Sequence, residues 1–210
     1  MVAREEGLVG GENENENENE PIGKVVRTII GNSSWTLSRK KAMNMDIHLR
    51  VLDKAELALV RRVADIVWPI TFQEILSPEQ MAYMMEMMYA AEVMEREYAE
   101  GVSFCGVFDG EKPIGYLAWG RSDSAPDTAK LHKCYLLPEY QGKGIGSMML
   151  NKAKVYAKEA GFAKLRLNVN RNNAKAIKAY ARNGFQTVET VDRAIGHGFF
   201  MNDYVMEAEI

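Results

Sequence analysis

The stretch YLLPEYQGKGIGSMMLNKA, Tyr135 to Ala153, decides the fold. An apolar run ends at Leu137, glycines follow at Gly142, Gly144 and Gly146, and a strongly helical segment opens near Ile145. Glycine loses more backbone freedom on folding than any other residue and packs no side chain, so the main chain itself must be what is needed there. A helix N-terminus presents unpaired N–H groups and the positive end of the helix dipole, which together suit a phosphate. The dipole contributes only about 0.3–2 kcal/mol, whereas each amide bonded to a charged oxygen adds about 1.5–3 kcal/mol. Several amides converging on one pyrophosphate therefore dominate, and side chains would obstruct that approach. Lys143 adds a mobile positive charge.

Two better-known phosphate loops do not fit. A Walker loop ends in Gly-Lys-Ser/Thr, but here Gly144 follows Lys143. A dinucleotide fingerprint needs its third glycine three residues after the second, and the spacing here is Gly142-x-Gly144-x-Gly146.

Working outward, Leu131–Leu137 reads as a strand, Ile145–Ala160 as a helix ended by Gly161, and Lys164–Val169 as a second strand. That strand–helix–strand crossover is expected to be right-handed. Asn173–Asn183 reads as a short helix with Gly184 as its left-handed terminator and Phe185 folding back. Two strands follow near Thr187–Arg193 and Phe199–Glu209. Upstream, MDIHLRVLD alternates like a strand over Ile47–Val51, and Leu57, Val60, Val63, Ala64 and Val67 recur at helical spacing over Lys54–Pro69. Ser77-Pro78-Glu79-Gln80 predicts a capped helix start, with the helix running on to Gly101. SFCGVFDGEKPIGYLAWGRS predicts a hairpin turning at Asp109-Gly110.

The 210 residues suit one domain, or one domain with an appendage. The alternating Glu/Asn run Glu12–Glu20 buries nothing and repels itself, so residues 1–44 are expected to be a low-complexity, disordered leader ahead of a domain at 45–210. Met45 is a second candidate translation start. At 47% hydrophobic, 26% charged and a net charge of −3, the chain exerts no general pull on nucleic acid or anionic membrane. No apolar run approaches the roughly 20 residues that span a bilayer, and the N-terminus has no signal-peptide core. Cys105 and Cys134 suggest no disulfide scaffold, which favours a reducing cytoplasmic setting. The three histidines and two cysteines show no metal-ligand spacing.

YLLPEYQGKGIGSMML resembles motif A of the GNAT N-acetyltransferase superfamily, whose Gln/Arg-x-x-Gly-x-Gly/Ala signature is met by Gln141, Gly144 and Gly146. NVNRNNAKAIKAYARNGFQTV resembles that family's second region, an Asn followed by an Ala-rich helix, a Tyr and Gly-Phe, and MNDYVMEAEI looks like its last strand. The resemblance implies an α/β fold of the α+β type: a mostly antiparallel sheet, helices on both faces, and a strand pair that splays to admit acetyl-CoA. Within the family, Trp68–Tyr89 is similar to the substrate-side helices of bacterial polyamine-acetylating members. Dimers are common in such families, which makes a homodimer an expected assembly.

Carried over residue by residue, the resemblance assigns the pantetheine arm to backbone groups of Cys134, Leu136 and Leu137, with Asn173 beside them. It assigns the pyrophosphate to Gln141, Gly142, Lys143, Gly144, Ile145, Gly146 and Ser147, with Arg182 near an adenosine phosphate. Tyr180 takes the place of the tyrosine that protonates the departing thiolate, a near match since a phenol titrates near 10. The same Tyr180 also reads as a core residue packing on Phe185. Bringing an ammonium with a pKa near 10.4 to its nucleophilic form at pH 7 costs about 4–5 kcal/mol, which a base would ease. Family members often carry a Glu on the strand before the turn; here His132 stands at or near that place, as a candidate base or as an uninvolved strand histidine. Trp68, Phe72, Tyr83, Tyr89 and the methionines from Met81 to Met94 read as core first, as amine-site lining second. His197, between two glycines, reads as a turn residue.

The leading expectation is acetyl-CoA-dependent N-acetylation of a small primary amine, with polyamines first. Acetylation of a protein N-terminus or lysine is the alternative enzyme reading. A non-catalytic acyl-CoA-binding module is the alternative from another class, and it leaves Tyr180 without a purpose.

Overall fold

The computed structural model describes residues 45–123 and 125–210. The expectations for residues 1–44 lie outside the described residues. Seven strands form one sheet in the order β1-β2-β3-β4-β5-β7-β6. They are β1 (Ile47–Val51), β2 (Ser103–Asp109), β3 (Lys112–Arg121), β4 (Thr128–Leu136), β5 (Lys164–Asn170), β6 (Gln186–Gly196) and β7 (Phe199–Glu209). Every neighbouring pair is antiparallel except β4 and β5. The helices are α1 (Ala58–Phe72), α2 (Pro78–Tyr89), α3 (Ala91–Ala99), α4 (Ile145–Glu159) and α5 (Ala174–Arg182).

The sheet is half buried because its central strands are apolar on both faces. β2 is buried from Ser103 to Phe108, and β3 from Ile114 to Gly120. Helix α1 presses Val60, Val63, Val67 and Trp68 onto it, a stripe at the spacing the sequence shows. Helix α4 presents Ile145, Met149, Ala153 and Tyr156 in the same way.

Three elements differ from the sequence reading. Helix α1 begins later and ends later, preceded by a single 3-10 turn at Lys54–Glu56 and running through Pro69 to Phe72. The long helix expected from Ser77 to Gly101 breaks at Ala90, whose ψ of 145° is extended. Neither glycine nor proline lies at that break. Next to it, Tyr89 is 1% exposed and its hydroxyl accepts from Trp68 Nε1 at 3.1 Å and from the Tyr116 hydroxyl at 2.8 Å. Burying an aromatic of this size brings about 4–6 kcal/mol of gross hydrophobic stabilisation, enough to outweigh one broken helical turn. In the β2–β3 hairpin, Asp109 pairs with Lys112, so the two turn residues are Gly110 and Glu111, with Gly110 at φ 55°.

Other local signals hold. Ser77 Oγ caps α2 by accepting from the Gln80 amide at 3.1 Å, and Asn173 Oδ1 caps α5 by accepting from the Ala176 amide at 3.1 Å. Gly161 and Gly184 sit at φ 87° and 83° behind α4 and α5. His197 lies in the β6–β7 turn at φ 52°, its ring 4.7 Å from that of Tyr83.

Candidate active site

Strands β4 and β5 pair only over Thr128–Leu131 and Lys164–Leu167, then part. The parting coincides with an irregularity on the other edge of β4, where Ala118 pairs with Lys133 but the next β3 residue, Trp119, pairs with Leu131. His132 is the extra residue, a bulge that bends β4 away from its parallel neighbour. Beyond the bulge, Leu137 donates its amide to the Ile114 carbonyl at 2.8 Å. Antiparallel pairs alternate in which residues point their main chain at the partner. Cys134 and Leu136 therefore turn their backbone groups the other way, into the gap.

That gap opens into a cleft of about 870 Å³, walled by β4, β5, α1, α2, α5 and the ends of β6 and β7. At one end lies the glycine turn. Gly142 and Gly144 sit at φ 75° and 86°, a region other residues rarely adopt, and Gly144 caps the N-terminus of α4. A Cβ built on Gly142, Gly144 or Gly146 would meet no protein atom within 4 Å. The bend is therefore bare and open, the shape a diphosphate needs, with the first amides of α4 facing it. Gln141 ties the bend to its surroundings. Its amide nitrogen donates to the Leu136 carbonyl at 2.9 Å, and its Oε1 accepts from Lys175 at 2.5 Å.

Most residues expected at the cofactor end line this cleft: Cys134, Leu136, Gln141, Gly142, Gly144, Gly146, Ser147, Asn173 and Arg182. Ile145 is fully buried and can offer only its backbone. Two of the expected side chains stand apart from the cleft lining. Leu137 points its amide at β3, as its bond to Ile114 shows, and is not part of the wall. The Lys143 ammonium lies over the Tyr140 ring, 5.2 Å from its centre, outside the cleft lining. The cation beside the bend is Lys175, which sequence reading missed; its position in the first turn of the short helix was the available signal.

Tyr180 lies in the cleft wall, packed edge-on against Phe185 at 5.8 Å, so packing on Phe185 leaves it at the cleft surface. Burial, reinforced by the nearby Cys134, pushes its phenol far up and keeps it protonated. The same burial pushes the Cys134 thiol up to about 12. His132 is different. Burial, with Lys130 and Lys133 adding to it, lowers its imidazole to about 3, and its Nε2 is enclosed without a hydrogen-bond partner. It is neutral at physiological pH and a weak proton acceptor.

The far end of the cleft is lined by aromatic and charged groups. Trp68 and Phe72 stand 5.8 and 6.4 Å from Tyr135, with Met84 and Met88 beside them. Tyr83 and Tyr89 are directed elsewhere, to the Ile195 carbonyl and the Trp68–Tyr116 cluster. Glu97, Lys130, Lys133, Arg193 and Asp203 also line the cleft. The Lys133 ammonium, its side chain 1% exposed, pairs with Glu97 at 2.5 Å. Asp203 is buried, and its carboxyl is raised by that burial against the pull of Asn168 and the neighbouring cations.

A sheet opened between its parallel strands, a bare glycine turn at a helix start and a half-buried phenol in the same cleft fit a nucleotide-cofactor transferase of the acyl-transfer kind. The sequence profile described as the Acetyltransferase (GNAT) family matches residues 64–185, and the chain belongs to that family of N-acetyltransferases. Among curated relatives, the spermidine N(1)-acetyltransferase of Thermoplasma acidophilum is 30% identical over 151 residues, covering 70% of this chain and 92% of that one. An N-acetyltransferase of Methanocaldococcus jannaschii is 36% identical over 84 residues, covering 38% of this chain and 37% of its own. Among solved structures, the PaiA N-acetyltransferase of T. acidophilum in complex with coenzyme A superposes with a TM-score of 0.67 at 27% identity, covering 79% of this chain and all of the other. Among the described residues, no helix is long and apolar enough to cross a membrane, and no group of His, Cys, Asp and Glu could hold a metal ion.

Proposed function

We propose that this protein uses acetyl-CoA to acetylate the primary amine of a small molecule in the β4–β5 cleft. The observation that carries the reading is that the bare glycine turn and the Tyr180 phenol open into one cavity. The coenzyme A complex of the T. acidophilum neighbour supports the cofactor. When bound, acetyl-CoA supplies a thioester whose carbonyl carbon takes the amine nitrogen as the sulfur leaves.

The chain's own residues do the rest. Amides of Gly142 to Ser147 hold the diphosphate, and the outward-turned main chain of Cys134 and Leu136 holds the amide-bearing arm. Tyr180 keeps its proton until sulfur needs it, then takes it back from solvent. The aromatic wall of Trp68, Phe72 and Tyr135 excludes water, which strengthens every polar contact inside. With His132 lowered to about 3, the acid-base work at the amine falls to water or to a carboxyl at the far end of the cleft.

The name of the T. acidophilum relative, a spermidine N(1)-acetyltransferase, puts polyamines among the acceptors to be tried. The test is a panel of spermidine, lysine, short peptides and simple amines with release of free thiol as readout. Turnover of a small amine supports the proposal; turnover of peptides alone, or of nothing, overturns it.

A further inference from the structure

The charges at the acceptor end do not suit a bare polycation. Glu97 and Lys133 satisfy each other at 2.5 Å, which leaves Lys130 and Arg193 facing Asp203. Among the described residues, neither the Lys130 nor the Arg193 side chain forms an ion pair or a hydrogen bond. Their placement follows from register. Val191 pairs with Asp203 and Arg193 with Met201, so Asp203 and Arg193 share one face of the β6–β7 ribbon. Asn170 pairs with Asp203 across β5, and Lys130 aligns with Arg166 two steps before Asn168, which brings Lys130 onto that same face. Burial disfavours the charge on Lys130, and Arg193 adds to the effect, while Asp123, Glu97 and Asp203 oppose it without any of them closing into an ion pair with Lys130.

We propose that the acceptor carries a carboxylate besides its primary amine, with Lys130 and Arg193 taking the carboxylate. The inference rests on the acetyl-transfer reading of the cleft and narrows its substrate class. A dication would meet a surplus of positive charge here, whereas an amine with a carboxylate at its far end sets that charge beside Lys130 and Arg193. The poles must be separated by several bonds. At about 3.3 Å per strand residue, Lys130 stands about 13 Å along β4 from Cys134, where the acetyl group is delivered.

Matched pairs test this directly: lysine against cadaverine, and ε-aminocaproate against n-pentylamine, each pair differing by the carboxylate alone. The carboxylate-bearing member should be preferred by about tenfold or more in kcat/KM, the worth of one charge-assisted contact. Lys130→Met and Arg193→Leu should each bring that ratio toward unity, and Lys130→Arg should keep it. Calorimetry of the same compounds on coenzyme A-loaded protein reads binding apart from turnover. A carboxylate preference in binding without turnover would end the acetyl-transfer reading while upholding this one. Equal or reversed preference, no binding of either acid, or a ratio that survives both charge removals overturns it.

Discussion

Tyr180 and Cys134 feel each other inside the cleft, and burial moves both upward. A phenol held protonated there serves only as a donor, so Tyr180→Phe should lower kcat on the order of 10²-fold or more. Calorimetry should find acetyl-CoA affinity little changed; an unaltered kcat would remove the acid role. His132 allows a separate test, because its imidazole falls to about 3 in the fold from 6.5 in the open chain. Between those values the unfolded chain binds more protons than the folded one. The stability contribution is therefore complete above 6.5 and is lost as pH falls toward about 3, at a slope of at most about 1.4 kcal/mol per pH unit. His132→Gln removes that titration. Urea unfolding at about pH 7 and about pH 4.5 should show the variant losing less stability than the parent; equal losses would show that His132 is not the group responsible. The sequence placed both residues, but not their environments, since it is burial by elements distant in the chain that moves them most.

The glycine turn and the helix behind it form the unit most fully legible in sequence. Their conformations answer to neighbours within a few residues: positive φ at Gly142 and Gly144, and the unpaired amides of a helix start. Gly146 separates stability from binding, because it is helical and a Cβ there meets nothing. Gly146→Val should therefore leave unfolding free energy within about 0.5 kcal/mol, yet weaken coenzyme A binding by about tenfold or more through the obstructed amides. Equal affinity would mean the diphosphate lies elsewhere. The break at Ala90 was invisible for the opposite reason. Nothing local demands it; it sits beside the site where Tyr89, Trp68 and Tyr116 meet from three separate elements.

For the molecule as a whole, cofactor binding and folding are linked. A ligand at about 100 times its Kd adds about 2.7 kcal/mol of stability, so acetyl-CoA should raise Tm by about 5–11 °C in a domain of this size. A thermal melt unmoved by acetyl-CoA would sink the cofactor reading. By itself the sequence determined the order of the strands, most of the helices, the caps and the bare glycine bend, since each is written in contiguous residues with strong local preferences. The tertiary structure alone decided where β4 parts from β5, which backbone groups turn inward, and that Lys130, Arg193 and Asp203 share one wall. Those depend on strand register across residues as much as seventy apart, which no local pattern encodes.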